Sequence, residues 1–177
     1  SSRHNGAMSA PTTRFLAITG MSGAGRRTAA HTLEDLGWYV VDNLPPTLLP
    51  NLLEVAEGSG YDKVAVVLDV RTRSEFEAIP AAFDALGARG IWPQILFIEA
   101  SDDVIVRRQE SVRRPHPLQD DGPLLHGIRR ERELLATLRA AADMVVDTSD
   151  LNVHQFADRV AHAFNTSDDR ALRLTLM

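Results

Sequence analysis

The chain has 177 residues, 44% of them hydrophobic and 24% charged, with a formal net charge of −5. That length suits one domain, large enough to bury roughly two-thirds of the surface its unfolded chain exposes. It has no cysteine, which excludes disulfides and thiolate metal sites, and the acidic balance argues against a nucleic-acid-binding surface over the whole chain.

No apolar run approaches the ~18 residues of a membrane span. The first dozen residues lack the apolar stretch of a secretion signal, so the expected location is the cytoplasm. A single lysine, Lys63, stands against eighteen arginines. With so strong a bias, an arginine at a position usually held by lysine needs no functional reason.

Residues 1–13 are polar and aperiodic and read as a disordered leader, with 1–7 a tag remnant ahead of Met8. Phe15–Thr19 is a short apolar run ending at Gly20, a buried strand. A helix is predicted from Gly25 to Leu36, closed by Gly37. Trp38–Val41 is a second strand, running into Asp42, Asn43 and the Pro45-Pro46 pair. Leu48, Leu49, Leu52, Leu53 and Val55 then mark a helical face ending at Gly58. Trp38 and Tyr39 read as core or interface aromatics.

Val64–Leu68 is the third strand, with Asp69 at its end. A helix over 74–88 follows, with Pro80 as a kink or break. Gln94–Glu99 is the fourth strand, and Ser101-Asp102-Asp103 opens a helix with a hydroxyl cap and two first-turn acids. The stretch 112–123 holds three prolines and reads as a loop. A helix over 124–141, a fifth strand at Met144–Val146 and a helix over 153–164 complete the order. The alternating residues 171–177 read as the opening strand of a further domain, leaving 14–167 as the principal one. Five uniformly apolar strands separated by helices imply an α/β fold: a five-stranded parallel sheet with helices on both faces.

The first strand-to-helix junction carries the chemistry. Gly20-Met21-Ser22-Gly23-Ala24-Gly25-Arg26-Arg27-Thr28 places its glycines in the register of the phosphate-binding pattern G-x-x-x-x-G-K-[ST]. Glycines there let main-chain N–H groups face inward, and the helix start adds its dipole. The alternative is a plain tight turn. Arg26 stands at the lysine position and can grip phosphate in a bidentate way, although it is longer and planar. Arg27 stands where a hydroxyl usually ligates Mg²⁺, and a guanidinium cannot. Thr28 could supply that hydroxyl only with a shift of helix register, since neighbouring helical residues point about 100° apart. Weakened Mg²⁺ binding and slow or absent hydrolysis are expected.

Other candidates lie at the carboxyl ends of the strands, the ligand side of open α/β sheets. Asp69 fits a Mg²⁺-holding acid or a helix cap. Asp42 and Asn43 fit the acceptor side of a small-molecule kinase, with Asp42 as base, or turn chemistry before Pro45. Asp147-Thr148-Ser149 fits contact with a base, or Ser149 or Asp150 capping the last helix. Between 107 and 132, seven arginines face four acids. Arg113 and Arg114 in the prolyl loop are candidate lid contacts to phosphate. Arg107 and Arg108 serve either that role or surface pairing with Asp102, Asp103 or Glu110. His116 is a further lid candidate, or a solvated loop residue.

Taken together, Gly20–Arg26 (GMSGAGR), Leu33–Tyr39 (LEDLGWY), Val41–Pro45 (VDNLP), Asp69–Arg71 (DVR), Arg113–Leu118 (RRPHPL) and Val146–Ser149 (VDTS) resemble the RapZ/YvcJ family of bacterial P-loop nucleotide-binding proteins. The likeness runs from about Arg14 to the end, and the pairing of VDNLP with RRxHPL is its specific part. It implies a kinase-like P-loop NTPase domain in three layers that binds ATP and GTP and hydrolyses them slowly. It also implies a C-terminal domain that in some members binds a small RNA and an amino-sugar phosphate and acts as a ribonuclease adapter.

By position, Gly20 to Arg27 match the family's ATP segment and Asp69, Val70, Arg71 and Thr72 its GTP segment. The family's loop reads G-K-S or G-R-S, and Arg27 departs from both. Three functions remain in view: a regulatory nucleotide-binding domain, alone or as a homo-oligomer; a small-molecule kinase; and a scaffold that binds no nucleotide.

Overall fold

The computed structural model describes residues 13–68, 70, 72–112 and 122–165. The proposed leader, apart from Thr13, and the proposed strand over 171–177 lie outside the described residues. Five parallel strands form one sheet: β1 (Arg14–Gly20), β2 (Tyr39–Leu44), β3 (Lys63–Leu68), β4 (Gln94–Glu99) and β5 (Met144–Asp147), in the order β2-β3-β1-β4-β5. After its first residue, every position of β1, β3 and β4 is buried. Successive side chains of a strand point to opposite faces, so both faces of these central strands are covered. The uniformly apolar runs seen in the sequence have this cause.

The helices are α1 (Arg26–Asp35), α2 (Leu49–Gly58), α3 (Arg73–Glu77), α4 (Ile79–Gly87), α5 (Asp102–Val112), α6 (Gly122–Leu134), α7 (Ala136–Ala141) and α8 (Val153–Phe164). Helix α1 buries Ala29, Ala30 and Leu33 and packs against α8, while α2 packs against α4. Gly37 ends the first helical segment with φ 95°, its N–H donating to Glu34 O at 3.0 Å and the next N–H to Leu33 O at 3.0 Å. Trp38 is core: its ring meets Phe164 edge-on at 6.1 Å and carries the Arg14 guanidinium 5.1 Å from its centroid. Tyr39 stacks on Tyr61 at 4.2 Å.

Four boundaries differ from the sequence expectation. β2 continues past Val41 to Leu44 through a register shift, with Asn43 at φ 55°. This is an edge strand, where an extra residue disturbs one ladder only, and asparagine tolerates the left-handed region. Asp42 and Asn43 therefore sit in a bulge within the strand, not beyond its end.

The break expected at Pro80 falls at Ala78, because the proline occupies the first turn of α4, where a missing N–H does no harm. The single helix expected over 124–141 starts at Gly122 and bends at Leu135 into α6 and α7, although Leu135 N–H still reaches Glu131 O at 2.9 Å. The last helix is capped by Asn152, not by Ser149 or Asp150: its side chain accepts from Gln155 N–H at 2.7 Å, and the Gln155 side chain accepts from Asn152 N–H at 2.9 Å.

Gly20 is the tightest point of the fold. It lies at φ 138°, and a Cβ there would collide with the Ile98 main chain on β4. Gly20→Ala is expected to lower unfolding free energy by more than about 2 kcal/mol, because it combines a backbone clash with a disallowed φ. Urea denaturation of the two proteins measures this.

Candidate functional site

Past Gly20 the chain turns sharply over the end of the sheet. Met21 is fully buried and donates its N–H to Ile98 O at 2.9 Å, and Ala24 N–H closes back on Met21 O at 3.1 Å. Gly23 and Gly25 hold φ of 83° and 123°. Gly25 also faces the Phe156 ring, which a Cβ would meet at 3.0 Å, so α8 backs the loop from behind. Gly25 is the N-cap of α1 and offers no side chain to it. The N–H groups of Gly25, Arg26, Arg27 and Thr28 have no protein acceptor among the described residues. A helix start normally leaves such donors, and it favours an anion.

The loop's carbonyls are held from the opposite side. Thr148, buried just after β5, donates its hydroxyl to Ala24 O at 2.6 Å. Arg108 of α5 donates through Nη1 to Gly23 O and Ala24 O, both at 3.3 Å, and to Thr148 Oγ1 at 3.0 Å. Its Nη2 donates to Thr148 O at 2.7 Å. Two loop carbonyls are thus engaged by side chains, while the N–H groups from Gly25 to Thr28 keep no protein acceptor among the described residues. Arg108 thus braces the loop from α5, and Thr148 supports it from beneath. The sequence offers no pattern for this, since the partners lie 84 and 124 positions away from the loop.

Among the described residues, two cavities that share Arg26 meet at the loop, beside a third lined by Ser22, Gln109 and Glu131. One, of about 590 Å³, is lined by Gly23, Gly25, Arg26, Arg27, Thr28 and Asp42, with Arg108 and Gln109 from α5. The other, of about 640 Å³, is lined by Ser22, Arg26, Asn43, Val70, Arg73 and, from α6, Arg130 and Glu131. Arg26 and Asn43 line both. Thr28 lines the first cavity together with Arg27.

The remaining candidates are distributed unevenly. Asp42 and the loop are brought together, and Val70 joins the second cavity. Thr72 caps α3, its hydroxyl accepting from Glu75 N–H at 3.1 Å. Arg107 is exposed and lines neither cavity. Asp69, Arg71, Arg113, Arg114 and His116 lie outside the described residues. Residues missed by the sequence reading include Glu131, whose carboxylate accepts from Ser22 N–H at 3.0 Å and Ser22 Oγ at 2.7 Å.

The acids around the site are engaged. Glu99, at the end of β4, takes a two-pronged contact from Arg139, with Nε at 2.8 Å and Nη2 at 2.9 Å. That hydrogen bond and charge raise the Arg139 pKa above its ordinary value. Arg132 ties α6 to Ala100 O at 2.8 Å and to Asp102 at 2.7 Å.

Residues 13–168 match the family model described as the RapZ-like N-terminal domain. The chain belongs to that family. Two relatives, each named as a nucleotide-binding protein, are similar to it along almost its whole length. The one from Cutibacterium acnes is 54% identical over 166 residues, covering 94% of this chain and 57% of its own. The one from Frankia casuarinae is 53% identical over 172 residues, covering 96% and 60%. The domain spans about three-fifths of the length of these relatives.

Among solved structures, a tunicamycin resistance protein from Deinococcus radiodurans aligns with TM-score 0.58 at 19% identity, covering 84% of this chain and 94% of its own. Shikimate kinase from Acinetobacter baumannii aligns with TM-score 0.56 at 13% identity, covering 93% and 99%. These likenesses show the fold, a kinase-like α/β P-loop fold, and the family is that of the RapZ-like N-terminal domain. No helix among the described residues is long and apolar enough to cross a membrane.

Behind the loop, Asp147 reports on the strand end. The Ser149 hydroxyl, then the Ser149 N–H at 2.8 Å, and more weakly the Arg132 and Arg108 charges hold its carboxyl below the ordinary range. A depressed folded pKa gives stability that is complete above the unfolded value and lost as pH falls through the folded one. Ser149→Ala should raise the Asp147 titration midpoint toward that of an ordinary aspartate, lower stability at neutral pH and shrink the share of acid destabilisation that Asp147 contributes. Carbon-detected NMR titration of the carboxyl measures it.

Proposed function

We propose that this domain binds ATP or GTP through the loop Gly20–Thr28 and acts as a regulatory switch with weak or absent hydrolysis. The observation that carries this reading is the cluster of inward N–H groups from Gly25 to Thr28 above the cavity that Arg26 shares. Rigid donors of this kind recognise phosphate without rearranging. The relatives named as nucleotide-binding proteins support the ligand class. Segment 69–72 is the proposed GTP contact, with Val70 at the second cavity.

The described residues fit a Mg²⁺ ion only sparingly. The Thr28 hydroxyl and the Asp42 carboxylate line the same cavity and would hold it, with Asp69 as a further proposed ligand. There the ion would neutralise phosphate charge and supply a Lewis acid. Arg27 lines that cavity too, and a fixed cation beside a divalent ion weakens its binding. Arg27 can itself neutralise phosphate, which suits holding a nucleotide better than cleaving it.

The same placement of Asp42 favours a second reading, a small-molecule kinase with Asp42 as base and the 113–116 segment as lid. In the regulatory reading, binding of RNA or a sugar phosphate and the ribonuclease-adapter role belong to the part of the longer relatives that this chain does not span. A cytoplasmic location and a homo-oligomer go with that reading.

Calorimetric titration of ATP and GTP, with and without Mg²⁺, tests the proposal. Saturable binding with slow turnover is expected, whereas turnover stimulated by an added metabolite favours the kinase. No binding of either nucleotide leaves a scaffold. Arg26→Glu should abolish binding while changing the stability of the empty domain by no more than about 0.5 kcal/mol, since Arg26 has no ion-pair partner among the described residues. Arg27→Ser should raise Mg²⁺-dependent phosphate release by about tenfold or more if the missing hydroxyl is what limits hydrolysis. An unchanged rate places the limit elsewhere.

A further inference from the structure

Glu131 stands where a phosphate loop needs no acid. Its carboxylate accepts from both the N–H and the hydroxyl of Ser22, the third residue of the loop, across 109 positions of sequence. An inward main-chain donor at such a loop ordinarily serves an anionic ligand. Here one of them serves a protein carboxylate, which has the same sign of charge as phosphate and presents its oxygens in a similar way. Helix α6 delivers it, and Arg132 on the next position pins that helix to Ala100 O and Asp102.

The position of Ser22 along the loop decides what meets Glu131. The free N–H groups of Gly25–Thr28 lie on the side of the first cavity, and Ser22 with Glu131 on the side of the second. Arg26 lines both. In loops of this pattern, the residue at that position reaches the β- and γ-phosphates, and the glycine-rich backbone cradles the α- and β-phosphates. A polyphosphate laid on the N–H cluster therefore runs past Arg26 toward Ser22. A diphosphate ends before the carboxylate, and the third phosphate arrives beside it.

Resting on the nucleotide-site reading above, we propose that Glu131 is a specificity-determining residue that sets the preference between nucleoside diphosphate and triphosphate. A terminal phosphate of charge about −2 repels the carboxylate at close range. It has to displace Glu131 before it can take the Ser22 N–H and hydroxyl for itself. Because Arg132 holds α6 in place, rotation of the Glu131 side chain suffices for that exchange. Arg26, Arg73 and Arg130 share the cavity and make no ion pair among the described residues, so they partly offset the repulsion. The outcome is a loop that holds diphosphate at least as tightly as triphosphate. Its occupancy then follows the ratio of the two and not the triphosphate alone.

The test is calorimetric titration of the whole chain with ADP, ATP, GDP and GTP in Mg²⁺, for the wild type and for Glu131→Gln. Glutamine keeps the shape and an acceptor oxygen and removes the charge. Triphosphate affinity is expected to rise about tenfold, the scale of one close charge pair, with diphosphate affinity changed by no more than about twofold. Glu131→Ala, checked for folding by circular dichroism, is expected to give the same selective gain by uncovering the Ser22 N–H. Equal changes for both nucleotide classes, no change in either variant, or a selective loss of triphosphate affinity each overturns the proposal; the last would make Glu131 a ligand and not a barrier. If neither class binds to wild type or variants, the nucleotide reading falls with it. Wild-type binding with unresponsive variants overturns this inference alone.

Discussion

The contact between Gly20 and the main chain of Ile98 holds the rest of the site in place. At this point β1 leaves the sheet, and Met21 N–H donates to Ile98 O at 2.9 Å, so the turn begins flush against β4 with no room for a side chain. A chain that turns this tightly has to spend several residues with positive φ, which Gly20, Gly23 and Gly25 provide. Those angles aim successive N–H groups into one concavity. The geometry of the loop is thus a consequence of packing between two buried strands, not of loop composition alone.

Two further layers convert that turn into a rigid receptor. Phe156 of α8 backs Gly25, and Thr148 with Arg108 holds the carbonyls of Gly23 and Ala24. The hydrogen bonds from Arg108 are charge-assisted, and one guanidinium spans both loop carbonyls and Thr148, so β5, α5 and the loop are tied as a unit. Behind this unit, Glu99 and Asp102 are matched by Arg139 and Arg132, which also anchor α6 and α7 to the end of β4. Several arginines of the basic stretch are therefore structural. Arg26, Arg73 and Arg130, which make no ion pair among the described residues, line the cavities at the loop.

The departures at positions 26 and 27 acquire different weights in this setting. Arg26 lines both cavities and stands at the position of the usual lysine, in a chain where lysine is almost absent. Arg27 is exposed but still borders the first cavity, beside Thr28 and Asp42. With Arg26, Arg27 and Arg108 against Asp42, the lining there is predominantly cationic.

The sequence by itself determined the parallel α/β sheet, the order of strands and helices, the place of the loop and the family. These are carried by local signals: apolar runs three to six residues long, glycines at fixed spacing, and short motifs in a set order. It also located the break near Pro80 and the cap at Ser101, whose Oγ accepts from Val104 N–H at 3.3 Å. Tertiary structure alone decided that Asp42 and Asn43 lie in a bulge of an edge strand, that Asn152 caps α8, and that Arg108 and Thr148 brace the loop. It alone decided that Glu131 reaches Ser22. Each of these depends on partners drawn together by the sheet from far along the chain, and no periodicity or spacing encodes which distant acid or arginine will arrive at a given loop amide.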